Sequence, residues 1–153
     1  MKNIIITRDF NYDESDFLFT YELLKNRYAS SKSIIKYVTP SKLPSYEEHK
    51  NFILNKCLIA RIARVNDIDV GFCYFDKKLY LGHFYSFSAL KSVFKKYNLT
   101  NEDVSVNIFN DMTSRLPKGT VVFAQISSKN TTALRLADRT MEHISSLYGY
   151  ECL

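Results

Sequence analysis

Two side chains with acid–base chemistry stand two residues apart in one apolar run, LYLGHFYSF at 79–87. If that run is a strand, alternation puts His83 and Tyr85 on the same face. An imidazole titrates near neutral pH and can take a proton there, while a phenol can give one. His49 follows Glu47 and Glu48 at the start of a helical pattern, where capping and packing compete with substrate contact. Together with His143 these are the three histidines of the chain, and their scatter has no metal-ligand spacing. No Gly-x-Ser-x-Gly is present, and Asp138, Arg139 and His143 make no nucleophilic triad. Cys57, Cys73 and Cys152 are odd in number, far apart and free of CxxC spacing, which suits a reduced, cytoplasmic chain.

At 153 residues the expectation is one domain, 1–153, with one core, and 46% hydrophobic and 14% aromatic residues are ample to fill it. Four glycines argue against a glycine-rich phosphate loop. A net charge of +5 favours an anionic ligand, whether a coenzyme, a nucleotide sugar or nucleic acid, without choosing among them. The first apolar run is too short for a signal peptide and turns acidic at once, and no run reaches membrane-spanning length.

The elements that must position these groups can be read in order. Ile4–Ile6 suggests a strand, and Phe17, Tyr21, Leu24 and Tyr28 recur at helical spacing behind Asp13 or Ser15 as cap. Pro40 and Pro44 bracket a linker, after which SYEEHKNFILNK offers Ser45 and Glu48 as a capping box. Residues 58–65, Asn66-Asp67 and 68–75 read as two antiparallel strands around a tight turn, with 79–87 as a third. SALKSVFKKY is an inserted helix, and Thr100 caps another that begins with Glu102 and Asp103. Val121, Val122, Phe123, Ala124 and Ile126 then form a strand, Ser127 to Asn130 a polar turn, and Ala133, Leu134, Leu136 and Ala137 a helix running on through Met141 and Ile144. Strand, polar turn and helix in that order indicate an α/β unit, whose ligands bind at the carboxyl ends of strands.

LLKNRY (23–28), LPSYEEHKNFI (43–53), DVGFCYF (69–75) and VVFAQISSKN (121–130) stand in the order and spacing of one subgroup of the GNAT N-acetyltransferases, which the chain resembles from 23 to 137. The resemblance implies an α/β, three-layer α+β fold: a mixed, mostly antiparallel central sheet flanked by helices. It implies transfer of an acetyl group from acetyl-CoA to the amine of a small molecule such as an amino sugar. The backbone at Phe84, Tyr85 and Ser86 would contact the cofactor where the fourth strand splays from Gln125 and Ile126, and Asn130 would help hold the pantetheine arm. His83 and Tyr85 would then be the proton-handling pair.

Two features depart from the family pattern. The R/Q-x-x-G-x-G/A loop that grips the coenzyme pyrophosphate is replaced by Asn101–Val106, where Glu102 and Asp103 put negative charge. The last-helix tyrosine that protonates the leaving thiolate is Ala137. Lys91, Lys95 and Lys96, or Ser86 and Ser88, are substitute phosphate contacts. The alternative is a catalytically inactive GNAT-fold protein that binds a protein or nucleic-acid partner, with Arg135 and those lysines meeting phosphates.

Overall fold

A computed structural model describes residues 2–30, 42–77, 82–124, 126 and 131–141. Five strands form one sheet in the order β1-β2-β3-β4-β5: β1 Ile5–Asp9, β2 Cys57–Val65, β3 Ile68–Asp76, β4 His83–Ala89 and β5 Val122–Phe123. The first three pairings are antiparallel and the last is parallel. This is the mixed, mostly antiparallel sheet that the sequence suggested.

Local chemistry sets the element ends. Asn66 and Asp67 both take positive φ, 49° and 67°, which closes the β2–β3 hairpin with the twist its strands require. Helix α1, Glu14–Ser30, starts where Asp13 Oδ1 accepts the Asp16 N–H at 2.9 Å. Helix α2, Tyr46–Lys56, carries the full capping box: Ser45 Oγ accepts from Glu48 N, and Glu48 accepts from Ser45 N at 2.8 Å. A short α3, Lys91–Lys96, leads to α4, Asn101–Thr113, whose first turn is closed by the Asp103 N–H on Thr100 Oγ1. After β5 comes α5, Thr131–Thr140. Among the described residues no helix is long and apolar enough to cross a membrane.

Two apolar clusters hold three layers together. On one sheet face Phe10, Phe17, Leu23, Ile53, Ile62 and Phe72 join α1 and α2 to the strands. On the other Cys73, Phe75, Phe94, Val104, Ile108 and Met112 join α3 and α4. Burial of these side chains contributes roughly 1.5–3 kcal/mol each, the main favourable term. At the β1 edge, Arg61 is 8% exposed, and its guanidinium donates to Thr7 Oγ1 at 2.6 Å, to the Thr7 carbonyl and to Asp9. Thr7 in turn bonds Asp111 of α4. A buried cation is tolerable here because its donors have partners. Arg8 bridges Asp16 of α1 and Asp69 of β3 and holds the Asp16 carboxyl below the ordinary carboxylate range.

Two boundaries differ from the sequence reading. The first strand runs Ile5–Asp9 rather than Ile4–Ile6, because its outer half is paired by β2 residues of mixed polarity. Among the described residues the strand expected over 121–126 is a ladder strand at Val122–Phe123, since pairing rather than apolarity defines a strand and Ala124 and Ile126 pair with no described residue. Residues 78–81, which open the expected 79–87 strand, and the helix extension past Met141 lie outside the described residues.

The β4–β5 junction turns on one glycine. A Cβ on Gly82 would lie 2.6 Å from the Val121 carbonyl oxygen and 2.7 Å from the Phe123 ring, so only hydrogen fits there. Replacement Gly82→Ala is expected to cost about 1–3 kcal/mol of stability through overpacking, read as a lower urea midpoint at unchanged m-value.

Candidate active site

Among the described residues strand β4 meets β5 over two residues. His83 stands opposite Val122 and Phe84 opposite Phe123, with the His83 N–H on the Val121 carbonyl at 3.0 Å and the two phenylalanine rings 5.7 Å apart. From Tyr85 to Ala89, β4 continues against β3. Among the described residues nothing pairs its other edge there. Alternate backbone groups of an unpaired edge aim outward and are available to a ligand. Among the described residues the two strands are thus paired at the start of β4 and not beyond Phe84.

Beside this opening lies a cleft of about 850 Å³ between α1, the start of α2 and the β3–β4 face. Ser86 and Ser88 of β4 and Phe72 and Tyr74 of β3 form its floor, and Tyr21, Arg27, Lys42, His49 and Phe52 stand on its walls. The aromatic rings run in contact. Tyr21 lies 5.7 Å from Tyr46 and 5.6 Å from His49, while Tyr74 lies 5.5 Å from Phe52 and 5.2 Å from Phe72. Burial pushes the Tyr74 phenol up to about 12, against an opposing pull from its hydrogen bond with Ser86 and from Arg27. It is a neutral donor at physiological pH.

His49 is buried, with Nε2 2.8 Å from Thr20 Oγ1. The Thr20 hydroxyl spends its own proton on the Phe17 carbonyl at 3.0 Å, so Oγ1 accepts from the ring. The Nε2–H tautomer follows, and Nδ1 keeps the lone pair. Desolvation pushes the imidazole down to about 4. In this cleft His49 is an uncharged acceptor rather than a cation.

The residues singled out from sequence are distributed around this geometry. Phe84 and Ser86 lie on the cleft side of β4, Phe84 at the last paired position and Ser86 in the cleft floor. His83 and Tyr85 share a face, as alternation required, but it is the opposite one. The His83 Nδ1–H donates to the Asp76 carbonyl at 2.8 Å, which leaves Nε2 as the basic nitrogen. Tyr85 packs 5.5 Å from Phe75 and 5.0 Å from Phe109, its hydroxyl buried without a hydrogen-bond partner. Burial raises that phenol well above its ordinary value. Ile126 is half-buried beyond the end of β5, and Gln125 and Asn130 lie outside the described residues. Sequence reasoning missed Thr20, Tyr74, Arg27 and Lys42 as site residues, and it named Ser88 as a phosphate contact, not as part of a cleft floor. The available signal was polar Tyr74, Ser86 and Ser88 at every second position of otherwise apolar strands.

The helix end that the resemblance assigns to a pyrophosphate is already engaged. Thr100 caps α4, and Arg139 of α5 lies 3.3 Å from Glu102 and 3.9 Å from Asp103. Two carboxylates there repel a diphosphate, so this end of α4 does not fit it, whereas the unpaired edge of β4 fits an extended amide-bearing arm. Among the described residues no group of three His, Cys, Asp or Glu side chains could hold a metal ion.

The low pKa of His49 has a sign that can be worked out. Unfolded, the ring takes a proton near 6.5; folded, it does so only near 4. Its contribution to stability is therefore present above pH 6.5 and is lost as pH falls from 6.5 to 4. With allowance for solvent at the cleft, about 1–2 kcal/mol should disappear across that window. The difference between wild-type and His49→Gln unfolding free energies, measured by urea titration at a series of pH values, should shrink over the same interval.

No protein-family model matches the chain, and no curated protein matches it. Solved structures do. The aminoglycoside N-acetyltransferase AAC(6')-Iy in complex with CoA superposes with a TM-score of 0.61 at 13% identity, over 99% of this chain and 95% of that one. AAC(6')-Ib in complex with ribostamycin and coenzyme A gives 0.63 at 12% identity, over 88% and 80%. The putative acetyltransferase yncA of Salmonella typhimurium with acetyl-CoA gives 0.62 at 14%, over 88% and 77%. An acetyltransferase of the GNAT family from Streptococcus pneumoniae gives 0.59. The order of the strands, the parallel pairing of β4 with β5 and these superpositions agree on one architecture, and the chain has the GNAT fold.

Proposed function

We propose that the protein transfers an acetyl group from acetyl-CoA to an amine bound in the cleft, within a single cytoplasmic domain. The observation that carries this reading is the β4–β5 pairing, which among the described residues covers His83 and Phe84 and leaves the edge from Tyr85 onward unpaired beside an aromatic cleft. The solved neighbours that hold CoA or acetyl-CoA support it. When bound, the cofactor supplies an activated acyl thioester, and the backbone from Phe84 to Ser86 would hold its arm, with Gln125, Ile126 and Asn130 as the further contacts that the family resemblance suggests.

The chain's own part is positioning and desolvation. Ser86 and Ser88 offer oxygens to an amine on the cleft floor, and His49 Nδ1 offers a neutral lone pair. The aromatic walls exclude water. His83 and Tyr85 face away from the cleft: His83 Nε2 would act as acceptor only across the opening between β4 and β5, while Tyr85, its hydroxyl buried beside Phe75 and Phe109, serves packing.

A second reading, a non-catalytic GNAT-fold protein that binds a protein or nucleic-acid partner, is favoured by one observation, the occupation of the α4 N-terminus by Glu102, Asp103 and Arg139. The two readings separate in one experiment. Titration calorimetry should show acetyl-CoA binding, and a thiol-reactive dye should show CoA release when a suitable amine is added. Because the diphosphate has no grip at α4, acetyl-pantetheine should bind within about tenfold of acetyl-CoA, a difference under about 1.4 kcal/mol. No heat and no thiol release with either thioester leaves the partner-binding reading in place.

A further inference from the structure

Given acyl transfer in this cleft, the attacking amine must first lose a proton, and a carboxylate with no other occupation stands at the end of the cleft floor. We propose that Asp76 receives the ammonium group of the acceptor and takes its proton.

The first observation is position. Phe72 and Tyr74 of β3 line the floor, and alternation sets Asp76 on the same face, about 7 Å further along the strand. Cys57, its partner on β2, packs with Ile53, Ile62 and Phe72 in the cluster on that face. Asp76 lies one step beyond the Phe75–Tyr85 pair, beside Phe84, and its carbonyl accepts the His83 Nδ1–H at 2.8 Å. Phe84 is the last β4 residue that pairs with a described residue of β5. The carboxyl thus stands between the cleft floor and the start of the unpaired β4 edge.

The second is the want of a partner. Asp76 Oδ1 is buried and accepts no hydrogen bond. Every other buried or half-buried carboxylate among the described residues is held: Asp16 and Asp69 by Arg8, Asp111 by Thr7 and Arg115, Glu102 by Arg139. A shielded carboxylate without a donor weakens a fold, and a cationic ligand is what would supply the donor here.

The third is proton affinity. Burial raises the Asp76 carboxyl above the ordinary carboxylate range, toward the values a base needs. The alternatives are poorer: His49 is pushed down to about 4, Glu48 is committed to the α2 capping box, and His83 lies on the opposite face. Around Asp76 stand Tyr74 on its own strand, Cys57 on β2, His83 on β4, and the exposed Lys77 and Lys56. Burial holds Tyr74 and Cys57 at about 12, so both are uncharged at neutral pH.

The step balances without a further acid. The ammonium gives one proton to Asp76, and the freed nitrogen pair forms the bond to the acyl carbon. The carbon–sulfur pair leaves on sulfur, which takes the second nitrogen proton, and the Asp76 acid returns its proton to water. This route asks nothing of position 137, where the chain has alanine.

The probe is 2-phenylethylamine, an ammonium ion with an aromatic body. Carboxyl carbon NMR, with the Asp76 signal identified by its loss in Asp76→Asn, should show Asp76 titrating at least about one pH unit lower with millimolar amine than without. In thiol-release assays with acetyl-CoA and this amine, Asp76→Asn should lower kcat/KM at least about 100-fold and leave acetyl-CoA binding within about twofold. Asp76→Glu should recover part of that loss, and wild-type activity should fall on the acid side as Asp76 takes its proton. Stability moves the other way. With the folded value above the unfolded one of about 3.9, the ionised group weakens the fold at neutral pH and ceases to do so below pH 3.9. Asp76→Asn should therefore unfold at higher urea at pH 7. A titration that ignores the amine, full turnover by Asp76→Asn, or a lower urea midpoint in that variant overturns the proposal. If the amine lowers the Asp76 titration while the wild type releases no thiol, the ammonium site stands and acyl transfer falls. Thiol release untouched by Asp76→Asn does the reverse.

Discussion

The structure depends on a contact too small for any side chain. At Gly82 the backbones of β4 and the segment leading into β5 approach so closely that a single methyl group has no room. That approach sets His83 and Phe84 against Val122 and Phe123, and it fixes the point from which the strands diverge. Parallel strands normally continue in register once paired, because each further residue adds a ladder bond. Here, among the described residues, the ladder has two residues. The unsatisfied edge that follows costs free energy unless water or a ligand meets it, and this defines where a ligand with amide groups belongs.

The rest of the site is built on that fixed point. Strand β4 is held to β3 along its length, so Ser86 and Ser88 project from a rigid floor, not from a loop. Helices α1 and α2 are anchored by Phe17, Leu23 and Ile53 in the core beneath them, and the Thr20–His49 hydrogen bond ties one helix to the other at the cleft wall. Buried and uncharged, His49 behaves as part of that wall. The Arg8 bridge between Asp16 and Asp69 fastens α1 to the sheet at its opposite end, where the paired charges are protected from full solvent screening.

How much of this was legible in the sequence follows from the range of the interactions involved. The Asn66-Asp67 hairpin, the Ser45 capping box and the Thr100 cap are decided by neighbours within three or four residues, and each was readable as residue types at fixed spacing. The parting of β4 and β5 was readable only through resemblance, because whether two apolar runs pair for two residues or six is settled by packing. The cleft was not readable at all. Its walls join residues 20–28, 42–52 and 72–88, and Thr20 meets His49 across 29 positions of sequence. Alternation put His83 and Tyr85 together correctly, yet could not say which face of the sheet would carry the cleft. That depends on which helices cover which side.

The Ser45–Glu48 capping box shows a consequence of economy in a small fold. Helix initiation has taken Glu48, the acid that lines the cleft among the described residues, so that carboxylate is already committed to the helix. A descendant of this chain seeking to welcome strongly cationic guests could not simply redirect Glu48, since doing so would fray the first turn of α2 and loosen the histidine seated one residue later. An acid free to meet such a guest would have to come from elsewhere on the rim, because this one is held by the way a helix begins.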